Sequence, residues 1–347
     1  MEVNKPRTLE EAQHEDFIWT WKSNARGTKA SIWLPYFAGA EKMPRSKQWL
    51  ISYNGGSLLA DLSKIDFIMF YGATGDIPLP FLDALSQNGI LLMLHRRNQT
   101  HPYVFYPTGF SDQFDLLSRQ ILIRSHGQKR AYIARTFIKA RFDRMTDLIE
   151  ISSERYVALR KAQSVTGVRQ IEANVTARFW DRWFGSLNVE ATRRGDGAVQ
   201  AALDAGSKFL YGVILRWVLL HKLSPCHGFL HEPTGYPSLV YDLMEPFRYI
   251  IEQSVAAVFP KIGEDEKQLV AASLNQLKIE LDRIVYVPAT RQYVRRKNLL
   301  HGAVLALRSY LLGETTRFVL PAEGEKKGGR PPKVSYKLPG ATKIAKT

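Results

Sequence analysis

The sequence predicts an α+β protein in which a small N-terminal β-rich domain precedes a larger all-α C-terminal domain. Three observations carry this reading. Short aromatic and β-branched runs, separated by turn residues, fill the chain to about residue 112. Beyond that point the apolar period changes to about 3.6, the period of a helix. Strands come first and helices after, an order that favours segregated layers over an alternating parallel sheet. The expected divisions are 1–112 for the β-rich domain, 113–320 for the helical domain and 321–347 for a basic flexible tail.

In chain order, FIWTWK (17–22), ASIWLPY (30–36), QWLISY (48–53) and IDFIMFYG (65–72) read as strands, and NGG at 54–56 as a hairpin turn. PLPFLDALSQNG (78–89) opens on Pro and closes on Gly, the asymmetry of a helix. ILLML (90–94) and PYVFYP (102–107) return to strand. The charged, proline-free stretch from 115 to 162 predicts one or two amphipathic helices. Further helices are expected at roughly 165–185, 197–221, 238–259, 264–285 and 290–313. Ser238 is positioned as an N-cap, and Pro246 should kink the helix it enters because it has no N–H for the carbonyl of Asp242.

Charge narrows the class of partner. Lys and Arg number 48 against 33 Asp and Glu, a formal net charge of +15 that points to a polyanion, nucleic acid before a membrane surface. Eight of these cations fall between Arg119 and Arg144, with Asp143 the one acid among them. Residues 326–347 carry seven more cations and no acid, which leaves +8 on the rest. The single cysteine, Cys226, forbids an internal disulfide and suits a reducing cytoplasm. The N-terminus lacks the apolar run of a signal peptide. FLYGVILRWVLLHKL (209–223), the most apolar stretch, is interrupted by Arg216 and too short to span a bilayer, so no membrane association is expected.

GFLHEPTGYPSLVYDLMEPFR (228–248) sets one histidine, His231, in a Gly- and Pro-rich loop ahead of Asp242 and Glu245, three apart on one helix face. Glu172 stands at the edge of an apolar stripe in the helix 165–185, among Trp and Phe. An ionised carboxylate there needs a cation or donor. One imidazole with two or three carboxylates suits Mg²⁺ or Mn²⁺, and beside a basic surface such an ion implies phosphodiester chemistry. On spacing alone, helical acids near a histidine are more often solvated or salt-bridged in a structural network. Cys226, His227 and His231, with His221 upstream, form a rival zinc set whose spacing matches no ordinary zinc module. Phe179, Trp180, Trp183 and Phe184 read as core, with base stacking the alternative for Trp180.

At GFLH and SLVYDLMEPFR the sequence resembles the CRISPR adaptation integrases, the first CRISPR-associated (Cas) protein family. IDFIMFYGATGDIPLPFLDALSQNGI, LLSRQILIRSHGQKRAYIARTFIKAR and EANVTARFWDRWF extend the resemblance from about residue 60 to 315. The resemblance implies a catalytic C-terminal domain, a homodimer or a pair of dimers bridged by the small second Cas protein, and double-stranded DNA as substrate. It implies Glu172, His231 and Glu245 as catalytic metal ligands for Mg²⁺ or Mn²⁺, with Asp242 as the supporting acid. The implied reaction is transesterification by the 3′-hydroxyl of a foreign DNA fragment at the edge of a CRISPR repeat. Ala173, where the family commonly has Gly, and Ser207, where it has Asn, are departures. GGRPPK in the tail resembles the core of an AT-hook.

Two other readings accompany this one: a transposon-borne integrase or branched-DNA nuclease of the same fold, and a DNA-binding scaffold with an inactive site. In all three, the residues expected to meet DNA are Arg119, Arg130, Arg135, Lys139, Arg178, Arg248, Lys326, Lys327, Arg330 and Lys333. Duplex binding should therefore fall steeply as salt rises, because each neutralised phosphate releases counterion. Deleting residues 326–347 should lower the slope of log K against log salt without loss of folding. Titrations of both forms at several salt concentrations measure this; a flat response rules out the electrostatic reading.

Overall fold

A computed structural model describes residues 29–72, 76–96, 102–106, 116–193 and 195–325. The expected strand at 17–22 and the basic tail residues 326–347 lie outside them. The described residues fall into two compact units: those before residue 111 together with Lys208–Arg216, and the remainder.

In the first unit, β1 (Ala30–Pro35), β5 (Ile65–Tyr71), β6 (Leu91–His95) and β7 (Tyr103–Phe105) form one sheet in that order. β1, β5 and β6 are parallel and β7 is antiparallel to β6. β5 lies inside the sheet and is buried from Ile65 through Phe70. That accounts for its near-continuous apolar run, the pattern of a strand covered on both faces. Its one acid, Asp66, accepts a hydrogen bond from Ser31 Oγ at 2.9 Å. A second, antiparallel sheet joins β2 (Phe37–Lys42), β3 (Gln48–Tyr53) and β4 (Gly56–Asp61). Asn54 and Gly55 make the β3–β4 turn, as NGG predicts, with Gly55 at φ 120° where a side chain would be strained. β2 was not among the expected strands. Its sequence, FAGAEK, is poor in β-formers, and pairing with β3 rather than intrinsic preference holds it extended. Helix α1 (Leu79–Gln87) connects β5 to β6 and buries Phe81 against Trp49, ring centroids 5.1 Å apart.

The segment Lys208–Arg216, part of helix α6 (Ala198–Leu220), belongs to this unit. Phe67 of β5 lies 5.6 Å, centroid to centroid, from Phe209. A Cβ on Gly212 would sit 2.1 Å from the Phe67 ring, so the glycine is what lets strand and helix approach.

The second unit is mostly helical: α2 (Leu116–Ser125), α3 (Gly127–Met145), α4 (Ser153–Lys161), α5 (Val165–Ser186), the ends of α6, α7 (Ser238–Met244), α8 (Arg248–Ile262), α9 (Glu266–Asp282) and α10 (Lys297–Leu311). The expected one or two helices after residue 115 are three. His126 ends the first stretch and caps α3, its ring accepting from Lys129 N–H. Pro246 has the predicted effect: a 3-10 turn, Glu245–Phe247, separates α7 from α8. Ser238 is the first residue of α7 rather than its N-cap, which is Pro237. Its hydroxyl instead donates to Cys226 O and accepts from Gly228 N–H, both at 3.0 Å.

The unit is not all-α. Between the helices expected at 264–285 and 290–313 stands a hairpin, β8 (Ile284–Val287) with β9 (Gln292–Arg295). IVYV and QYV are β-branched and aromatic, and Pro288 stops the helical pattern that was carried across them. Residues 318–325 form no helix or strand, yet Glu323 bonds Tyr249 Oη and Arg296, and Gly324 N–H bonds Tyr286 O at 2.9 Å.

Gly212→Ala should lower the urea midpoint of the β-rich unit by an amount equivalent to about 1–3 kcal/mol, the usual cost of overpacking. An unchanged midpoint would show that Phe67 moves aside freely.

Candidate active site

The sequence splits an otherwise apolar helix at Pro246, and this break sets two acids at the junction. Asp242 lies in the last turn of α7, 0% exposed, and Glu245 opens the 3-10 turn, 4% exposed. The apolar stripe Leu239, Leu243, Phe247, Ile250 and Ile251 is buried as expected and anchors both.

Asp242 is saturated by its own loop. Its Oδ2 accepts from the backbone N–H groups of Phe229 and Leu230, and its Oδ1 from His231 N–H at 3.0 Å and His231 Nδ1 at 2.7 Å. A carboxylate only accepts, so Nδ1 carries a proton, and in the neutral ring Nε2 keeps its lone pair. Burial would lower the imidazole pKa. The bonded Asp242, with Glu245 and Glu172 nearby, raises it above the ordinary value. Gly228 makes this wrap possible: a Cβ there would stand 2.8 Å from Asp242 Oδ2 and 2.9 Å from the Ser238 carbonyl carbon.

The loop is also held from outside. Gln120 of α2 donates to Ser224 O and His227 O and accepts from Ser224 N–H, each at 2.9 Å. Arg124 bonds Gly228 O at 2.8 Å and Glu232 O at 2.5 Å, and Arg130 bonds Phe229 O at 2.9 Å. These residues were not read as loop supports. The one available signal was polar Gln120, fully buried, at a position where the helical pattern faces inward.

Glu172 projects from α5, its side chain 21% exposed, and Arg141 of α3 joins it to Glu245. One guanidinium nitrogen, Arg141 Nη1, donates to Glu172 Oε1 at 2.8 Å and to Glu245 Oε2 at 2.5 Å. Arg248 donates to the other Glu245 oxygen at 3.2 Å. Burial pushes the Glu172 carboxyl above the usual range; Arg141 opposes this and Glu245 adds to it. For Glu245 the burial cost is outweighed by Arg141 and Arg248, which hold it below the usual range. Burial likewise raises Glu252 of α8, whose Oε1 has no hydrogen-bond partner. Glu172, His231 and Glu245 thus lie within electrostatic reach of one another, as the sequence reading requires.

Among the described residues, no group of three or more His, Cys, Asp and Glu side chains is arranged to hold a metal ion as it stands. The reason is visible: Arg141 fills the space between the two glutamates. The chemistry of the donor set nevertheless fits a divalent ion. Two carboxylates, one buried and one half-buried, already converge on a cation, and an imidazole stands beside them. The zinc alternative has no such convergence. His221 pairs with His301, Nε2 to Nε2 at 2.7 Å; His227 meets Ser224 Oγ at 2.6 Å; His231 turns to Asp242.

The expected DNA contacts divide. Arg119, Lys139 and Arg178 are exposed. Arg130 and Arg135 are half-buried and bonded to Phe229 O and Ala162 O, and half-buried Arg248 is bonded to Glu245. Lys326, Lys327, Arg330 and Lys333 lie outside the described residues. Phe179, Trp183 and Phe184 are core; Trp180 is half-buried, with Arg193 5.7 Å over its ring. Ala173 is exposed, so its departure from Gly does not alter the helical core, and Ser207 Oγ bonds Leu203 O at 2.7 Å.

A family model described as CRISPR associated protein Cas1 matches residues 45–268. A CRISPR-associated endonuclease Cas1 of Pyrococcus horikoshii is 25% identical over 273 residues, 71% of this chain and 84% of that one. Among solved structures, a casposase bound to integration product aligns with a TM-score of 0.71 and 17% identity, covering 83% of this chain and 92% of the other. A Cas6-RT-Cas1–Cas2 complex aligns at 0.63 and 11% identity, covering 85% of this chain and 36% of that chain. At these identities the two structures bear on the fold alone.

Gln120→Ala would strand three half-buried backbone groups of the loop, at a cost of up to about 1–3 kcal/mol for each one that water does not reach. Hydrogen exchange at residues 224–231 should quicken in this variant while exchange in α8 stays slow. Unchanged loop exchange would show that Arg124 and Arg130 hold the loop by themselves.

Proposed function

Since the chain belongs to the Cas1 family, we propose that it is a metal-dependent DNA integrase that joins the 3′-hydroxyl ends of a foreign fragment to a CRISPR repeat. The observation that carries this reading is the pairing of two converging glutamates, Glu245 buried and Glu172 half-buried, with a histidine oriented by a third acid. In the reaction the 3′ oxygen forms a bond to a phosphorus of the repeat while the existing ester oxygen leaves, so one phosphodiester is exchanged for another. A bound Mg²⁺ or Mn²⁺ would neutralise charge on that phosphate and activate the attacking hydroxyl.

Glu172, His231 through Nε2, and Glu245 are the residues that would hold the ion. Asp242 has no oxygen to spare; all its accepting positions face the loop and His231. Its part is to fix the ring and its tautomer. Arg119, Lys139 and Arg178 supply exposed positive charge for backbone phosphates, which positions DNA without reading its sequence. The natural assembly is a homodimer, or two dimers bridged by the small second Cas protein, and the Cas1–Cas2 complex of like fold is consistent with it. No helix among the described residues is long and apolar enough to cross a membrane. Action on DNA with one unpaired cysteine suits the cytoplasm of a prokaryotic cell.

A transposon-borne integrase is the second reading, favoured by the casposase captured with its integration product. Sequencing product junctions on a target that carries one CRISPR repeat separates the two. Insertion at the repeat edges supports the first, and insertion elsewhere the second.

His231→Ala and Glu245→Gln should each abolish strand transfer in Mg²⁺ and Mn²⁺, the first with the fold intact. Asp242→Asn should cost about 10- to 100-fold, the scale of a lost partner behind a ligand. Added Mn²⁺ should rescue it better than Glu245→Gln. Integration rates against metal concentration measure this. An Asp242→Asn variant dead at every concentration beside a near-normal Glu245→Gln would reverse the two roles, and full activity of His231→Ala would remove the imidazole from the site.

A further inference from the structure

We propose that Arg141 is an internal counter-cation: it closes the site by holding Glu172 and Glu245 together, and it yields their oxygens when a divalent ion binds. The inference rests on the metal site read above and concerns a residue outside its ligand set. Arg141 is 6% exposed and reaches both carboxylates through a single nitrogen, while its Nε is buried with no partner. A guanidinium carries five N–H donors in a fixed fork and normally grips a carboxylate with two of them. Here one nitrogen is shared between two acids and another is left over. Such an arrangement joins the acids while forgoing the strongest pairing available to the group.

The charges are also paired. Glu172 and Glu245 face Arg141 and Arg248, two carboxylates against two guanidinium groups. Two carboxylates this buried would repel each other without the arginine. With a divalent ion between them, Arg141 becomes surplus and needs a new acceptor. One is at hand. Glu252 lines the same crevice as Arg141, Glu245 and Arg248, is 6% exposed, and keeps Oε1 unpartnered. The guanidinium thus has one seat between the glutamates and an acid prepared to receive it after it leaves.

The consequence is a competition inside the chain. The apparent affinity for the ion is reduced by the fraction of molecules with the site open. If Arg141 keeps the site closed in 90–99% of free molecules, removing it should tighten ion binding by about 10- to 100-fold. The experiment titrates the full chain with Mn²⁺ alone, reading free ion by electron paramagnetic resonance, and follows thermal unfolding with and without the ion.

Arg141→Gln should bind Mn²⁺ at least about tenfold more tightly than wild type. It should melt below wild type without the ion and gain more from it. Glu252→Gln, which leaves Arg141 in place but weakens the receiving acid, should bind more weakly than wild type. If Arg141→Gln fails to fold, Glu252→Gln still decides: binding equal to or tighter than wild type overturns the proposal. Equal or weaker binding by a folded Arg141→Gln also overturns it, provided Glu245→Gln has lost the ion. Undiminished binding by Glu245→Gln instead overturns the metal site itself, a different failure.

Discussion

Two carboxylates cannot share a buried space in ionised form without positive charge between them, and the helical unit is arranged around that constraint. Glu172 comes from α5 and Glu245 from the turn between α7 and α8, so no single element sets their spacing. Arg141, projecting from α3, ties the two together. A buried ion pair of this kind costs desolvation that its Coulomb attraction barely repays. It contributes little net stability. Loss of either partner, however, leaves a bare charge inside the protein, so the three elements are bound to one relative position.

Asp242 shows how an acid can be buried and excluded from that competition. Three backbone N–H groups and one imidazole consume its accepting positions, and the loop that supplies them is pinned by Gln120, Arg124 and Arg130. Its neighbour three residues on meets only guanidinium groups, which an ion can replace. Sequence spacing puts both acids on one helix face and says nothing about this difference. Backbone donors are fixed by the fold, whereas side-chain cations are free to leave.

The parts of the chain that were legible are those whose local pattern agrees with the tertiary result. QWLISY forms a strand over its whole length, NGG makes its hairpin, and Pro246 interrupts its helix, because each signal is a steric or hydrogen-bonding rule of the backbone. The candidate residues Glu172, His231, Asp242 and Glu245 were also legible, as charged groups in apolar settings. The illegible parts depend on partners distant in sequence. β2 is extended only because β3 pairs with it. Ser238 sits where a cap would, yet the geometry of Gly228 and Cys226 turns its hydroxyl to another task. Arg141 looked like one more cation of a basic helix, since nothing in its neighbourhood on α3 announces acids 31 and 104 residues away.

That last point changes the meaning of the net charge. Of the eight cations between Arg119 and Arg144, Arg124, Arg130, Arg135, Arg141 and Arg144 bond the chain's own carbonyls or carboxylates. Their donors align a loop, tie down helix ends and fill the site; they are not arrayed toward solvent. Arg119 and Lys129 are exposed, and exposed Lys139 pairs with Asp143 at 2.7 Å. Long-range attraction of a polyanion depends on all these charges, because the field adds regardless of burial. The fully exposed ones have the fewest competing acceptors within the chain. The basic excess read from composition is therefore a sound argument for meeting DNA and a poor guide to which residues touch it. Arg130, Arg135 and Arg141, which composition would assign to the surface, bond groups within the helical unit.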